Sequence, residues 1–420
     1  MTDPHQMPET PWWSQPGTTA VLPTAPPPAP PVVEDPPAAA PQGRPKRRGG
    51  TATLLALALV VGGAAGGGVA EYVHQDGTTT LSSSTPLAGG TVTNGSKTIS
   101  GTPESAAATI GPSVVTIEVT GTESSGFGQQ SVSDTGSGVI IRSSGYILTN
   151  NHVVAAAVGT AGGTVNVTLA NGSTVPARVI GTDSTTDLAV IKIDGQSGLK
   201  AATFATTDTL RVGQAVIAVG APLGLSNTVT EGIVSTLHRP VRTGDESGNS
   251  QAVIDAVQTD AAINPGNSGG ALADLAGRLV GINSAIASVG SSGTGTQSGN
   301  IGVGFAIPSD TASKVADQLI ATGKAVHSQI GVGVSDSDST DGTPGNGATI
   351  SGVNAGSPAA KAGVQTGDVV TKVNDRQVTD STSLIAAIRS YDPGTTVTLT
   401  ITRAGATKTL TVVLASAASS

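Results

Sequence analysis

Residues 106–325 predict an all-β fold, a sandwich or a pair of barrels. Three observations carry that reading. Short runs rich in Val, Ile and Thr recur between glycine-bearing turns, at the spacing of strands and not of alternating strands and helices. Asn171-Gly172 is a hairpin turn between two of these runs, because both central residues of the tight turn need positive φ. Finally, the chain has 57 glycines but only three Phe, three Tyr and two Trp among 420 residues, so its cores must be built from Val, Ile, Leu and Ala.

Twelve strands follow in order. The first six are Val114–Val119, Gly138–Arg142, Tyr146–Thr149, Thr164–Leu169, Thr174–Ile180 and Leu188–Ile193. The second six are Ala215–Val219, Thr228–Ser235, Val253–Thr259, Ala271–Ala273, Leu279–Ala287 and Gly302–Ile307. The polar stretch Thr120–Thr135 reads as a short loop between the first two. The first helix spans Asp310 to Thr322, entered through Pro308-Ser309, with Val315, Leu319 and Ile320 on one face and Gly323 as its stop.

Residues 326–416 predict a second, smaller domain. Ile330–Val334 and Ala348–Val353 read as strands. Ser357-Pro358 opens a short helix with a cap and a proline at its first position, and Gly363 ends it. Val369–Val373 is a strand between the turns Gly367-Asp368 and Asn374-Asp375. Asp380 caps a helix bearing Leu384, Ile385 and Ile388, and the strands Thr395–Thr402 and Thr407–Leu414 close the fold.

Upstream the composition changes. Residues 1–48 are proline-rich (Pro26-Pro27-Pro28, Pro30-Pro31, Pro36-Pro37) and read as a disordered tail without a packed core. Residues 49–72 read as a transmembrane helix, since Thr51 to Ala70 carries no charge over about the 20 residues a bilayer needs. Arg44, Lys46, Arg47 and Arg48 precede it, whereas Glu71 and Asp76 follow. The positive-inside rule then places the N-terminus in the cytoplasm and both domains outside the cell membrane. A cleaved signal peptide ending at Val69-Ala70 is the rival, but its basic region would begin far later than such peptides allow. Residues 73–105, rich in Gly, Ser and Thr, read as a flexible linker whose reach is roughly 30 Å.

Charge and cysteine content exclude several classes. A net charge of −8 argues against a nucleic-acid partner, which calls for a basic face. The chain has no cysteine, so disulfides, thiol catalysis and thiolate metal sites are ruled out, and no motif asks for a cofactor or metal.

Gly266-Asn267-Ser268-Gly269-Gly270 holds a serine between glycines, where a tight turn can expose a hydroxyl and aim the N–H groups of Gly266 and Ser268 at one spot, an oxyanion hole. A serine needs a base, and His152 in Thr149-Asn150-Asn151-His152-Val153, at the end of a strand, can serve. A carboxylate must fix that imidazole's tautomer. Asp187, opening the buried strand Leu188–Ile193, suits the role; Asp183 on the preceding turn is the alternative, otherwise a surface-loop carboxylate. The order His, Asp, Ser is a known triad order. Gly266–Gly270 also fits the G-x-S-x-G elbow of α/β-hydrolases, but only His327 follows the serine and alternating helices are missing before it, so that reading fails.

Several separated segments resemble the HtrA (DegP/DegS-type) serine proteases: Thr149–Val153, Asp187–Val190, Val219–Gly224, Thr230–Ser235, Asn264–Leu272 and Gly304–Pro308. The resemblance runs from about residue 107 to 415, and the smaller domain looks like a PDZ domain. It implies a chymotrypsin-like pair of six-stranded β-barrels with His152, Asp187 and Ser268 at their junction. It also implies ATP-independent cleavage of unfolded or damaged exported proteins, regulation through the PDZ domain, and a homotrimer. The aromatic residues that usually make the trimer contact are missing here between Tyr72 and Phe127. Thr120–Thr135 corresponds to the family's regulatory loop and is too short to cap the site.

Ala261, Ala262, Ile263, Ile282, Ala285 and Ile286 are the expected pocket residues, small and apolar, and predict cleavage after Val or Ala. In the smaller domain Ile330, Gly331, Val332, Gly333 and Val334 match the loop and strand that hold a peptide C-terminus, with backbone N–H groups for the carboxylate and an edge for β-augmentation. The helix from Asp380 to Ser390 forms the other wall. The expected ligand is an apolar C-terminus, because no charge partner is evident in the groove. A different class of function, a membrane-tethered chaperone or peptide sensor without proteolysis, would use the same fold for binding alone.

Overall fold

In the computed structural model the described residues are 101–125, 128–158, 162–221, 228–244, 251–285, 302–337 and 347–418. The tail, the apolar segment Thr51 to Ala70 and most of the linker lie outside them. Among the described residues no helix is long and apolar enough to cross a membrane.

The twelve strands close into two six-stranded antiparallel barrels. The first is built from β1 (Val114–Ser125), β2 (Gly128–Arg142), β3 (Tyr146–Thr149), β4 (Thr164–Thr168), β5 (Thr174–Asp183) and β6 (Leu188–Ile193), in the order β1-β2-β3-β6-β5-β4. The second uses β7 (Ala215–Gly220), β8 (Thr228–Gly244), β9 (Gln251–Thr259), β10 (Ala271–Asp274), β11 (Leu279–Ser284) and β12 (Gly304–Pro308), in the order β10-β11-β12-β9-β8-β7. Closure leaves no strand edge unpaired. The aliphatic composition decides what fills the barrels: Ile117, Ile140, Ile147, Leu148, Ile191, Ile217 and Leu272 are among the largest fully buried side chains, and Phe305 is the one aromatic in that group. Each such burial contributes about 1.5–3 kcal/mol.

Three local differences from the sequence reading have physical causes. The chain is already helical at Pro103, in α1 (Pro103–Ile110), where the linker was expected to run to Ser105; a reciprocal cap between Thr102 and Ser105 fixes its start. Thr120–Thr135 is not a short loop. β1 and β2 pair from Val114↔Val139 out to Ser125↔Gly128, a two-stranded arm whose Thr- and Ser-rich sequence lacks the apolar alternation that marks a half-buried strand. β8 runs on to Gly244 because it stays paired with β9 through two register shifts, well past Ser235.

After α3 (Ser309–Thr322), ended by Gly323 at φ 74°, the chain enters the smaller domain. A five-strand path runs β14 (Val332–Asp336), β15 (Ala348–Val353), β16 (Val369–Val373), β18 (Thr396–Arg403) and β19 (Ala406–Val413), with β17 (Arg376–Gln377) paired to β16. Its helices are α4 (Pro358–Lys361), capped by Ser357, and α5 (Ser381–Arg389), capped by Asp380. A further ribbon pairs β13 (Val326–Gln329) with β20 (Ala415–Ala418), tying the entry and exit of the domain together.

The domain is fastened to the second barrel by polar contacts. Arg376 donates twice to Asp255 at 2.6 Å, in the fork geometry that suits a carboxylate. Arg242 on β8 donates to Thr382 and Ser381 of α5, and Lys314 of α3 reaches Asp392 at 2.9 Å.

Candidate active site

The register of β3 against β6 brings the first two site residues together. Thr149 pairs with Ala189, so the residues just beyond that pair, His152 on one strand's exit and Asp187 on the other's entry, fall side by side. His152 does not end a strand as expected; it sits in the first turn of α2 (Asn151–Val154). Asp187 adopts φ 57°, a left-handed conformation that Asp tolerates better than most side chains. That turn frees its carbonyl to accept Asn150 Nδ2 at 2.9 Å and Asn151 N–H at 3.1 Å.

His152 Nδ1 lies 2.8 Å from Asp187 Oδ2 and 3.0 Å from Oδ1, and the His152 backbone N–H donates to Oδ1 at 3.0 Å. A carboxylate only accepts, so the imidazole proton must sit on Nδ1 and Nε2 is left as a base. Nε2 has no hydrogen-bond partner among the described residues. Asp187 is 5 % exposed, a burial tolerable for a charge because each carboxylate contact is a charge-assisted bond.

The alternative carboxylate goes elsewhere. Asp183 is fully buried, not a surface-loop group, and its partners are Thr185 N–H, the Thr186 hydroxyl and His327 Nε2 of the smaller domain at 2.9–3.0 Å. Its surroundings are a domain contact, which β5 reaches only at its last residue; sequence spacing carries no trace of it.

Ser268 lies on the turn before β10, against the first barrel. Its carbonyl accepts Ser137 N–H at 2.8 Å, and the Ser137 hydroxyl donates to Gly266 O at 2.6 Å. Gly269, at φ 82°, is required here: a Cβ would stand 2.1 Å from Ser137 O and 2.4 Å from the Thr149 hydroxyl, three residues before His152. The turn is thus seated against the strand end that carries the imidazole. Gly266 takes φ 92°, and the N–H groups of Gly266 and Ser268 have no acceptor among the described residues. Two unengaged donors on one turn are what an oxyanion needs.

One contact departs from the expected arrangement. Ser268 Oγ accepts the Ala285 N–H at 3.0 Å and makes no hydrogen bond to His152. The structure therefore joins His152 to Asp187 but holds the Ser268 hydroxyl on the β11 side. The expected pocket is also partly core: Ala261 and Ile282 are fully buried and Ile263 nearly so, within the second barrel. Ala262 and Ala285 stay half-buried, and Ile286 lies outside the described residues.

In the smaller domain a groove of about 370 Å³ runs between β14 and α5. Ile330, Gly331, Val332 and Val334 line it, facing Leu384 and Ile388; Gly333 does not. The N–H groups of Ile330 and Gly331 have no acceptor among the described residues. Contrary to the expectation of an uncharged groove, Arg389 and His327 also line it.

Residues 136–282 match the trypsin-like peptidase domain and 328–414 the PDZ domain. The serine protease PepD of Mycobacterium tuberculosis (strain ATCC 25618 / H37Rv) is 48% identical over 322 residues, covering 76% of this chain and 67% of that protein. The chain belongs to the HtrA family of serine proteases. The Do-like HtrA of Lactococcus lactis subsp. lactis (strain IL1403) is 40% identical over 317 residues, 71% of this chain and 74% of its own length. The solved structure of the HtrA-type protease AlgW with a tripeptide superposes with a TM-score of 0.54 at 34% identity, over 75% of this chain and 97% of that one. The protein is accordingly a serine endopeptidase carrying a PDZ domain.

Proposed function

We propose that this protein is a membrane-anchored, ATP-independent endopeptidase that cleaves unfolded or damaged exported proteins, with its PDZ domain taking protein C-termini. The observation that carries the catalytic part is the His152–Asp187 pair, with a free Nε2, beside a serine turn that presents two unengaged N–H groups. The anchor rests on the uncharged segment Thr51 to Ala70 and the basic residues before it.

The chemistry follows from those groups. Ser268 turns about χ1, leaving the Ala285 N–H for His152 Nε2, a rotamer change that costs little time beside catalysis. Nε2 takes the hydroxyl proton as Oγ attacks the peptide carbonyl. Asp187 stabilises the imidazolium and keeps its ring oriented. The oxyanion is held by the N–H groups of Gly266 and Ser268, each such donor being worth about 10²–10³ in rate. His152 then protonates the leaving amine, and water, activated by the same imidazole, releases the acyl group. Small aliphatic residues at the cut site are favoured, since Ala262 and Ala285 leave shallow apolar room and offer no carboxylate for Arg or Lys.

The decisive experiment compares wild type and Ser268→Ala on an unfolded protein such as reduced, alkylated casein. Cleavage by the wild type alone supports the proposal. Equal residual cleavage removes Ser268 from the mechanism, and suppression of aggregation without any cleavage favours the tethered chaperone.

A further inference from the structure

The groove between β14 and α5 contains a cation whose coordination is unfinished. Arg389, the last residue of α5, is half-buried, and the only hydrogen bond of its side chain among the described residues is a long one, Nη1 to Val253 O at 3.4 Å. A guanidinium has five N–H donors, so most of its hydrogen-bonding capacity is unused, and Arg389 lines the groove. Burial holds its pKa below the ordinary arginine value, and the carboxylate acting against that effect is Asp183 of the protease domain. Asp183 is already committed to His327, Thr185 and Thr186. Ile330 and Gly331, whose N–H groups have no acceptor among the described residues, line the same groove, and so does Thr185, two residues before Asp187.

We propose that Arg389 is the groove's carboxylate-recognising side chain. The inference rests on the groove being a peptide site. The apolar walls Leu384 and Ile388 take the ligand's aliphatic side chain, the N–H groups of Ile330 and Gly331 and the Arg389 fork take the negative group. Sequence position alone gave no hint of this, since Arg389 reads as an ordinary basic residue in a helix's last turn.

Binding of fluorescein-labelled octapeptides to the full-length chain carrying Ser268→Ala, followed by anisotropy, tests the proposal. Three probes are compared: one ending in Ala-Val-Val with a free carboxylate, its C-terminal amide, and the amide with Glu at the penultimate position. The free acid is expected to bind about tenfold or more tightly than the amide, and Arg389→Met to weaken the acid about fivefold while leaving the amide unchanged, the N–H groups of Ile330 and Gly331 keeping the rest of the preference. If the Glu-bearing amide recovers the loss in an Arg389-dependent way, the source is a side-chain carboxylate; if it does not, the source is the terminus. Arg389→Gln, which keeps a donor for Val253 O, serves the same comparison should the methionine variant fail to fold by circular dichroism. Equal acid affinity in wild type and both Arg389 variants overturns the proposal. Failure of every probe to bind wild type overturns the peptide-site reading itself.

Discussion

Replacing Asp187 by Asn tests the assignment of the acid most sharply. Asn keeps the shape of the side chain and tolerates the left-handed φ of 57°, so the substitution leaves the backbone nearly unstrained. What changes is the donor pattern at His152 Nδ1, 2.8 Å away. The amide presents an N–H₂ donor there, which moves the imidazole proton to Nε2 and blocks that nitrogen as a base for Ser268. The imidazolium formed during the reaction also loses its buried counter-charge. Together these are expected to lower kcat by about 10⁴, equivalent to about 5 kcal/mol of transition-state stabilisation. An internally quenched peptide with Val at the cut site reads kcat and KM, and KM is expected to move little. Asp183→Asn is the control, because its partners are His327 and Thr186, and it is expected to stay within about tenfold of wild type. Comparable losses in both variants, or an Asp187→Asn enzyme within tenfold of wild type, would refute the reasoning.

Three further outcomes are expected. Gly269→Ala forces a Cβ to within 2.1 Å of Ser137 O at a positive φ, and costs about 2–5 kcal/mol in thermal or denaturant unfolding together with the loss of activity. A double-mutant cycle on Asp255→Ala and Arg376→Ala gives a coupling of about 1–3 kcal/mol, since the pair is bidentate and mostly buried; additive effects would show that the contact does not hold the PDZ domain. Asp368 is held below the ordinary carboxylate range: burial would raise it, but the bonds from Arg403 and Gln365 N–H outweigh that. A depressed folded-state pKa adds stability above the unfolded value of about 3.9 that is lost as pH falls through the folded value. Wild type should therefore melt above Asp368→Asn at neutral pH and lose that advantage at strongly acidic pH; a constant difference across the range would contradict the ion pair.

Much of this architecture was legible because it rests on short-range physics. Strand runs of Val and Ile, the Asn171-Gly172 turn, the caps at Ser357 and Asp380 and the stop at Gly323 each act within a few residues, and the structure places the elements there. Asp187 and Asp183 were both open in the sequence as partners of the imidazole, and the β3–β6 register sets Asp187 beside His152. What escaped were features made by distant partners. The arm of β1 and β2 has no apolar face to announce it. The ribbon of β13 with Ala415–Ala418 has little strand propensity of its own. The burial of Asp183, the charge in the groove and the Ala285–Ser268 bond all depend on surfaces brought together only by folding.

The central claim is that Ser268 leaves the Ala285 amide and becomes a nucleophile through His152. Labelling with a fluorophosphonate, read by peptide mass spectrometry on protein shown to cleave casein, tests it most directly. A single adduct on Ser268, formed by wild type and lost in His152→Ala, is the result expected. Casein-cleaving protein that carries no adduct on Ser268, or labelling of Ser268 at the same rate without His152, would contradict it.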